Sequence, residues 1–395
     1  MLRLSCFLRG SYLPLSQETI RVIKDTAPVV APLATKITGD FYPRLFKNNP
    51  AAWAFFNKTN QAKGHQSQAL ADAVIAYAGN IDNLGALGGA VAKINHRHCA
   101  LGVTPELYQM VHDTLMASIG EVLGEAVTPE IGRGWSNAVM ALAEICINAE
   151  EDLYKQAEAR EGGWRGFKEF ELARKERVGQ DTVAFDFAPL DSSGPIEYAL
   201  GQYLSIRLDE ARSGVKSPRH YTVTSSPGCP TLQCTTRHVK GSSGNPDGAV
   251  STYMHERLRE GDRVRLSAPF GVFTADALFR EGDEVAFVTA GIGITPALAL
   301  SRADRVTVVG ALHVDRSEGH TGALAGRVGT GCRTLFGASR SSVLDAVRSF
   351  AGGMGGRTQF VVCGPAGFMR ESVRALRDGG AENVHVELFG TGSMK

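Results

Sequence analysis

The chain has 395 residues, a formal net charge of +1 from 42 basic and 41 acidic side chains, and 43% hydrophobic residues. That length predicts two or three domains, and the charge balance excludes a strongly basic nucleic-acid binder and an acidic disordered tail. Seven scattered cysteines form no CxxC pair, no zinc-ribbon spacing and no CxxCH run, so they read as reduced thiols of a cytoplasmic protein. No apolar run approaches the roughly 20 residues that a membrane helix needs.

Residues 1–160 hold 12 of the 45 glycines, so the remainder is nearly twice as rich per residue. Helix interiors disfavour glycine, whereas hairpins and phosphate loops use it. A helical first part and a strand-and-loop remainder are expected.

In chain order, residues 1–13 (MLRLSCFLRGSYL) carry Arg3 and Arg9 and no acid, as short targeting leaders do. They lack a convincing cleavage site and read as a frayed extension. From Ser16, a capping residue with Glu18 in the first turn, a helical period sets in. Pro28 and Pro32 are expected to break the first helix. Thr104-Pro105-Glu106 and Thr128-Pro129-Glu130 repeat one helix-start signal: a capping threonine, proline at the first helical position, and a carboxylate at the positive helix end. Helices are predicted near 16–27, 29–48, 64–79, 84–98, 104–123 and 128–158, joined by short connections into an all-α domain.

Residues 161–168 (EGGWRGFK) form a glycine-rich joint. Period-two runs follow at Thr182–Phe187, Gln202–Leu208, Tyr221–Thr224, Leu232–Val239 and Arg263–Ser267, separated by turn clusters such as GSSGNPDG. They predict a small antiparallel barrel. From Asp283, the apolar strands Val285–Thr289, Val306–Val309 and Phe360–Cys363 alternate with helical stretches, which predicts a parallel α/β sheet.

Leu87, Val91, Ile94 and His98 share one helical face, so His98 points where apolar residues point, and His96 lies roughly opposite. Tyr108, Val111, Leu115, Ile119 and Val122 form a second stripe. Val139, Leu142, Cys146, Glu150 and Leu153 form a third. A buried carboxylate is costly unless paired, so His98, Tyr108 and Glu150 are expected to form one hydrogen-bonded cluster that orients a ligand-binding histidine.

FYPRLFKNNP, FFNKTNQAKGHQSQAL and INHRHCALGVTPELY together resemble the globin domain of flavohaemoglobins over about residues 14–160. The resemblance implies that His98 is the proximal ligand of the iron in haem b, with Glu150 and Tyr108 behind it. It implies Tyr42 and Gln66 on the distal side, lined by Leu70 and Phe56, with Tyr42 donating to bound dioxygen. Arg97 stands where the family usually has lysine. Pro43, directly after Tyr42, removes a helical donor, leaves the Gly39 carbonyl free and predicts a local kink.

Arg219-His220-Tyr221-Thr222 is similar to the R-x-Y-[ST] pattern of ferredoxin-reductase-like flavin domains. Such a set offers an arginine to phosphate, a tyrosine to the isoalloxazine or ribityl region and a hydroxyl to flavin N5. Gly201-Gln202-Tyr203-Leu204 precedes it. Asp247-Gly248-Ala249-Val250-Ser251 follows and opens a helix whose backbone N–H groups face a pyrophosphate. These matches imply FAD, with Tyr203, Gly248, Val250 and Ser251 among its contacts.

Gly291-Ile292-Gly293-Ile294-Thr295-Pro296 follows a strand, lacks the third glycine of the common dinucleotide fingerprint and resembles the reductase version, GxGxTP. Cys363 and Gly364 begin a second such match at a strand end. In the family the aromatic of Leu388-Phe389-Gly390-Thr391 covers the flavin until nicotinamide displaces it. Residues 301–357 are shorter than the family pattern, with a strand and a helix compressed into GCRTLFGASRSSVLDAVRSF, and a missing element is expected to weaken nicotinamide binding. The loop that separates NADH from NADPH falls in this stretch.

The resemblance thus implies an all-α globin haem domain (14–160), an antiparallel β-barrel FAD domain (161–275) and an α/β parallel-sheet NAD(P) domain (276–395) behind a 1–13 extension. It implies a monomeric nitric oxide dioxygenase that turns NO and O2 into nitrate with electrons from NAD(P)H. Two alternatives stand beside it. One is a haem-based O2 or NO sensor or store with a weakened reductase half. The other is a plain flavin reductase.

Overall fold

The structure is a computed structural model that describes residues 15–56, 64–191, 194–241, 246–329 and 331–389. The 1–13 extension lies outside them. The chain divides into two compact units, the first ending at Gln156 and the second beginning at Ala157.

The first unit is helical: α1 (Gln17–Val30), α2 (Ala34–Asn48), α3 (His65–Gly79), α4 (Gly88–Leu101), α5 (Pro105–Leu123) and α6 (Pro129–Glu158). Ser16 Oγ accepts from the Thr19 N–H at 3.1 Å and Thr128 Oγ1 accepts from the Ile131 N–H at 3.3 Å, so both cap as expected. Thr104 does not. Its hydroxyl pairs with Glu106 instead and helps hold that carboxyl below its usual range. Pro28 does not break α1 either. The helix runs on to Val30 because Val22, Ile23 and Val30 are all buried, and packing outweighs one lost backbone bond. The break comes at a 3₁₀ turn, Ala31–Leu33, around Pro32. In the same way α2 passes through Pro43, flanked by buried Phe41, Tyr42 and Leu45. The core centres on Ile23, Phe41, Leu45, Ile119, Trp135 and Ala138. Its polar handles are satisfied: Trp135 Nε1 donates to Thr26 Oγ1 at 3.0 Å and Tyr77 Oη to the Ala138 carbonyl at 2.8 Å.

The second unit opens with six antiparallel strands: β1 (Phe167–Arg177), β2 (Thr182–Pro189), β3 (Tyr203–Arg207), β4 (Arg219–Thr222), β5 (Leu232–Arg237) and β6 (Arg263–Ser267). They are ordered β4-β3-β6-β1-β2-β5. A bridge between Val223 and Cys234 joins the two edges and closes the barrel. β1 has no counterpart among the expected runs. Seven of its eleven residues are charged, and only Phe170 and Leu172 are fully buried, so the alternation that marks a half-buried strand is almost erased. It is nonetheless central, pairing with both β2 and β6. Helix α7 (Ala249–Glu256) lies between β5 and β6.

A parallel sheet follows: β7 (Asp283–Ala290), β8 (Val306–Asp315), β9 (Cys332–Phe336), β10 (Gln359–Cys363) and β11 (Asn383–Glu387), in the order β11-β10-β7-β8-β9. Helices α8 (Ile294–Leu300) and α9 (Glu318–Ala325) cover one face, and α10 (Arg340–Gly352) and α11 (Ala366–Asp378) the other. The expectation of a missing element in residues 301–357 is therefore corrected. The stretch holds β8, α9, β9 and α10, so the strand and the helix read as compressed into GCRTLFGASRSSVLDAVRSF are both formed. The order reverses between β7 and β10, and in open α/β sheets ligands bind beyond the strand ends at that point.

Candidate functional site

The first unit brings the three expected core-facing polar residues together. α4 carries His98, α5 carries Tyr108 and α6 carries Glu150, which is 3% exposed. His98 Nδ1 lies 2.9 Å from Glu150 Oε1 and 2.8 Å from Tyr108 Oη, and Tyr108 Oη donates a short hydrogen bond to the same Oε1. Burial, then the neighbouring Cys146 and Glu150, push the Tyr108 phenol well above its ordinary range, so it stays a donor. With Nδ1 engaged, Nε2 is the ring nitrogen left for a metal. One helical turn earlier on the same helix, Ile94 keeps 36% of its surface uncovered.

Tyr42 comes from α2 and Gln66 from the first turn of α3. The Tyr42 hydroxyl donates to the backbone carbonyl of Gln66 at 3.3 Å, not to its side chain. Gln66 Oε1 is buried with no hydrogen-bond partner among the described residues. A buried acceptor without a partner is costly, so this atom marks where a polar ligand fits. Phe56 meets the Tyr42 ring edge-on at 5.6 Å, and Leu70 packs on the same cluster. Burial pushes the Tyr42 phenol upward, so it too remains protonated. These donors, acceptors and apolar walls fit a haem with a small diatomic ligand.

In the second unit, β3 and β4 place Tyr203 opposite Thr222 and Leu204 opposite Tyr221. His220 Nδ1 lies 2.9 Å from Ser205 Oγ, with its ring 4.9 Å from that of Tyr203. Arg219 uses Nη1 on Ser217 and on the Pro218 carbonyl, while its other guanidinium nitrogens have no hydrogen bond among the described residues. Burial lowers its pKa, and no carboxylate compensates. A half-buried guanidinium with donors to spare fits a phosphate. Gly248 caps α7, where a Cβ would sit 2.7 Å from Ser251 Oγ and 2.9 Å from the Val239 Cβ. The close approach leaves a backbone cradle at the helix start, with Val250 and Ser251 buried behind it. At the other end of α7, Lys175 Nζ donates to the carbonyls of Met254, His255 and Leu258 at 2.8–2.9 Å and satisfies that terminus.

The Gly291–Pro296 loop and Cys363-Gly364 meet at the switch point. A Cβ on Gly293 would lie 2.6 Å from the Cys363 carbonyl oxygen and 2.7 Å from the Gly364 nitrogen. Ile294, Thr295 and Pro296 start the fully buried α8, while Gly291 and Ile292 stay partly open. Thr295 Oγ1 reaches Thr222 Oγ1 at 3.5 Å, so the hydroxyl of the barrel motif borders the Gly291–Pro296 loop. Leu388 is half-buried, and Phe389 is 47% exposed, not packed into the sheet. Gly390 and Thr391 lie outside the described residues. Arg237 was missing from the expected set. Its Nη1 stands 3.3 Å from where a Cβ of residue 291 would be, and its Nε bonds Asp181 at 2.7 Å. Its strand, LQCTTR, carries no local sign of this placement.

Beneath the loop lies a buried chain: Thr289 Oγ1 to His313 Nδ1 at 2.8 Å, and His313 Nε2 to Thr321 Oγ1 at 2.8 Å. Burial, partly opposed by Asp315, pulls His313 from 6.5 down to about 4. A folded value below the unfolded one means that the unfolded chain binds the proton first. His313's contribution is therefore complete above pH 6.5 and declines as pH falls towards 4, by up to about 1.4 kcal/mol per unit. Calorimetric Tm values of the His313→Gln variant are expected to fall less between pH 7 and 5 than those of the parent. Parallel declines would show that His313 is not the group responsible.

Comparison with known proteins agrees with this geometry. The globin family profile matches residues 39–146, and the oxidoreductase FAD-binding domain profile matches residues 169–274. A flavohemoprotein of Bordetella pertussis is 36% identical over 407 residues, covering 96% of this chain and all of that protein. One from Bacillus subtilis is 39% identical over 286 residues, covering 72% of this chain and 69% of its own. The crystal structure of a flavohemoglobin from Malassezia yamatoensis with bound FAD and heme superposes with a TM-score of 0.78 at 25% identity, over 95% of this chain and all of that one.

Proposed function

The chain belongs to the flavohaemoprotein family, and from that premise we propose that it is a nitric oxide dioxygenase, converting NO and O2 to nitrate with electrons from NAD(P)H. The observation that carries the proposal is the His98–Tyr108–Glu150 cluster, in a chain that also has an FAD-binding oxidoreductase domain. When bound, haem supplies dioxygen binding and one-electron redox chemistry, and FAD divides a hydride into single electrons.

The chain's own residues do the rest. Glu150 accepts from His98 Nδ1, which fixes the tautomer and ring orientation and makes Nε2 a stronger donor to iron. Such electron donation favours turnover over storage. Tyr42 and Gln66 hold the distal polar contacts inside an apolar wall. Arg219 and the α7 N-terminus hold the flavin pyrophosphate, and Tyr203, His220 and Tyr221 border the rest of the flavin. Thr222, steadied by Thr295, offers its hydroxyl to the flavin N5. The Gly291–Pro296 loop and Cys363-Gly364 receive the nicotinamide dinucleotide, and Phe389 is the group it displaces.

The sensor reading rested on an impaired 301–357 segment. That segment forms β8, α9, β9 and α10, which supports the dioxygenase reading over the sensor. Six free cysteines among the described residues accord with a reducing, cytoplasmic setting. No helix among the described residues is long and apolar enough to cross a membrane.

The decisive assay is NO consumption by the purified chain with haem, FAD, O2 and a nicotinamide donor. Consumption no faster than that of a haem-free control ends the proposal. Tyr42→Phe is expected to lower NO turnover by about 10- to 100-fold, the worth of one hydrogen bond to a charged or strongly polarised ligand. It should also hasten O2 release, read by stopped-flow absorbance. An unaltered O2 release rate would remove Tyr42 from the distal role.

A further inference from the structure

In open α/β sheets the end of the second strand serves the adenosine ribose: an acid there takes the 2′-hydroxyl of NAD(H), while an arginine takes the 2′-phosphate of NADP(H). Here that strand is β8. It pairs in parallel with β7, with Val314 opposite Ala290, so Asp315 and Arg316 follow level with the Gly291 loop. By residue type alone Asp315 is the ribose acceptor, and NADH the choice.

The side-chain geometry reverses this. Asp315 is only 7% exposed. Its Oδ1 accepts the Arg316 backbone N–H at 2.7 Å, and its Oδ2 accepts a short hydrogen bond from Thr321. Thr321 in turn is bonded to His313, and His313 to Thr289. The carboxylate is spent in a buried network, and turning it outward would strip Thr321 of its acceptor. The next residue, Arg316, is exposed, and no carboxylate pairs with its guanidinium among the described residues. Ser317 heads α9 with its hydroxyl unused as a cap. Glu318, the neighbouring acid, lies along the helix flank, its Cγ 3.1 Å from where a Gly322 Cβ would stand. Arg316 is therefore the exposed charge nearest the strand end, with Glu318 exposed two residues further on.

We propose that this chain selects the 2′-phosphorylated dinucleotide, NADPH, and that Arg316, assisted by the Ser317 hydroxyl, makes the selection. The inference rests on the reading of the second unit as a nicotinamide-dependent reductase.

Equilibrium binding of 2′,5′-ADP and 5′-AMP to the FAD-loaded full chain tests it. Calorimetry reads the affinity ratio, which is insensitive to the fraction of protein that is active. The expected result is 2′,5′-ADP bound roughly tenfold more tightly, the scale of one charge-assisted contact to phosphate. Arg316→Leu should bring the two affinities together, and Asp315→Asn should keep the parental ratio. Equal affinities, tighter binding of 5′-AMP, a preference that survives Arg316→Leu or a ratio that moves in Asp315→Asn would each overturn the proposal. Failure of the dioxygenase reading is separable: NO goes unconsumed with either donor while the binding ratio stands. Failure of both nucleotides to bind removes the nicotinamide reading and this inference together.

Discussion

Replacing Gly293 by alanine is expected to cut NAD(P)H-driven ferricyanide reduction by about 100-fold or more, while dithionite still reduces the haem. The added Cβ would stand 2.6 Å from the Cys363 carbonyl oxygen and 2.7 Å from both the Cys363 carbonyl carbon and the Gly364 nitrogen. All three are backbone atoms, so no side-chain rotation relieves the contact. The end of β7 must move away from the end of β10, which widens the crevice between them. A displacement of about 1 Å at a docking site costs on the order of 100-fold in rate. Thr295 follows two residues later and touches Thr222, so the shift reaches the flavin side of the barrel as well. FAD content should hold, because Arg219 and the α7 cradle lie outside the clash. Full reductase activity in Gly293→Ala would mean that the dinucleotide does not use this loop.

Substitution of Glu150 is expected to act at the haem instead. Glu150→Gln keeps the volume but removes the charge that accepts from both His98 and Tyr108. Loss of such a partner behind a metal-bound histidine typically costs 10- to 100-fold in metal affinity or activity. Haem transfer to a scavenging apo-globin should accelerate within that range. The haem reduction potential should rise, because a less electron-rich imidazole stabilises the oxidised iron less well. Glu150→Leu should be worse, since it leaves a buried phenol without its acceptor. Tyr108→Phe should be milder, because Glu150 still meets His98. An unchanged potential in Glu150→Gln would show that the carboxylate is only a packing element.

These two sites were unequally legible. His98, Tyr108 and Glu150 fall on helical stripes whose other members are apolar, and a polar residue on such a stripe has to find a partner. Periodicity alone therefore foretold that they would meet. Gly291 and Gly293 were visible as a loop type, but the reason for Gly293 is a carbonyl 70 residues further along the chain. Arg237 and β1 escaped notice because a charged residue gives no local sign of what it will face. β1 is central in its sheet despite seven charges.

The sequence by itself determined the helical first part, the change to glycine-rich strands and loops, the stripe that carries His98 and the order of the motifs. Each is a short-range property, set by a repeat of two or 3.6 residues or by glycine and proline restrictions on the backbone. Tertiary structure decided the rest. Packing carried α1 through Pro28, where local rules called for a break, and α2 runs on through Pro43 as its helical period predicted. It turned the Tyr42 hydroxyl to the backbone of Gln66, and it formed both a strand and a helix from the compressed run within residues 301–357. It also buried the Asp315 carboxylate and left Arg316 outside. Residue type fixes only which bonds a side chain can make, and neighbours distant in the chain decide which bonds it does make.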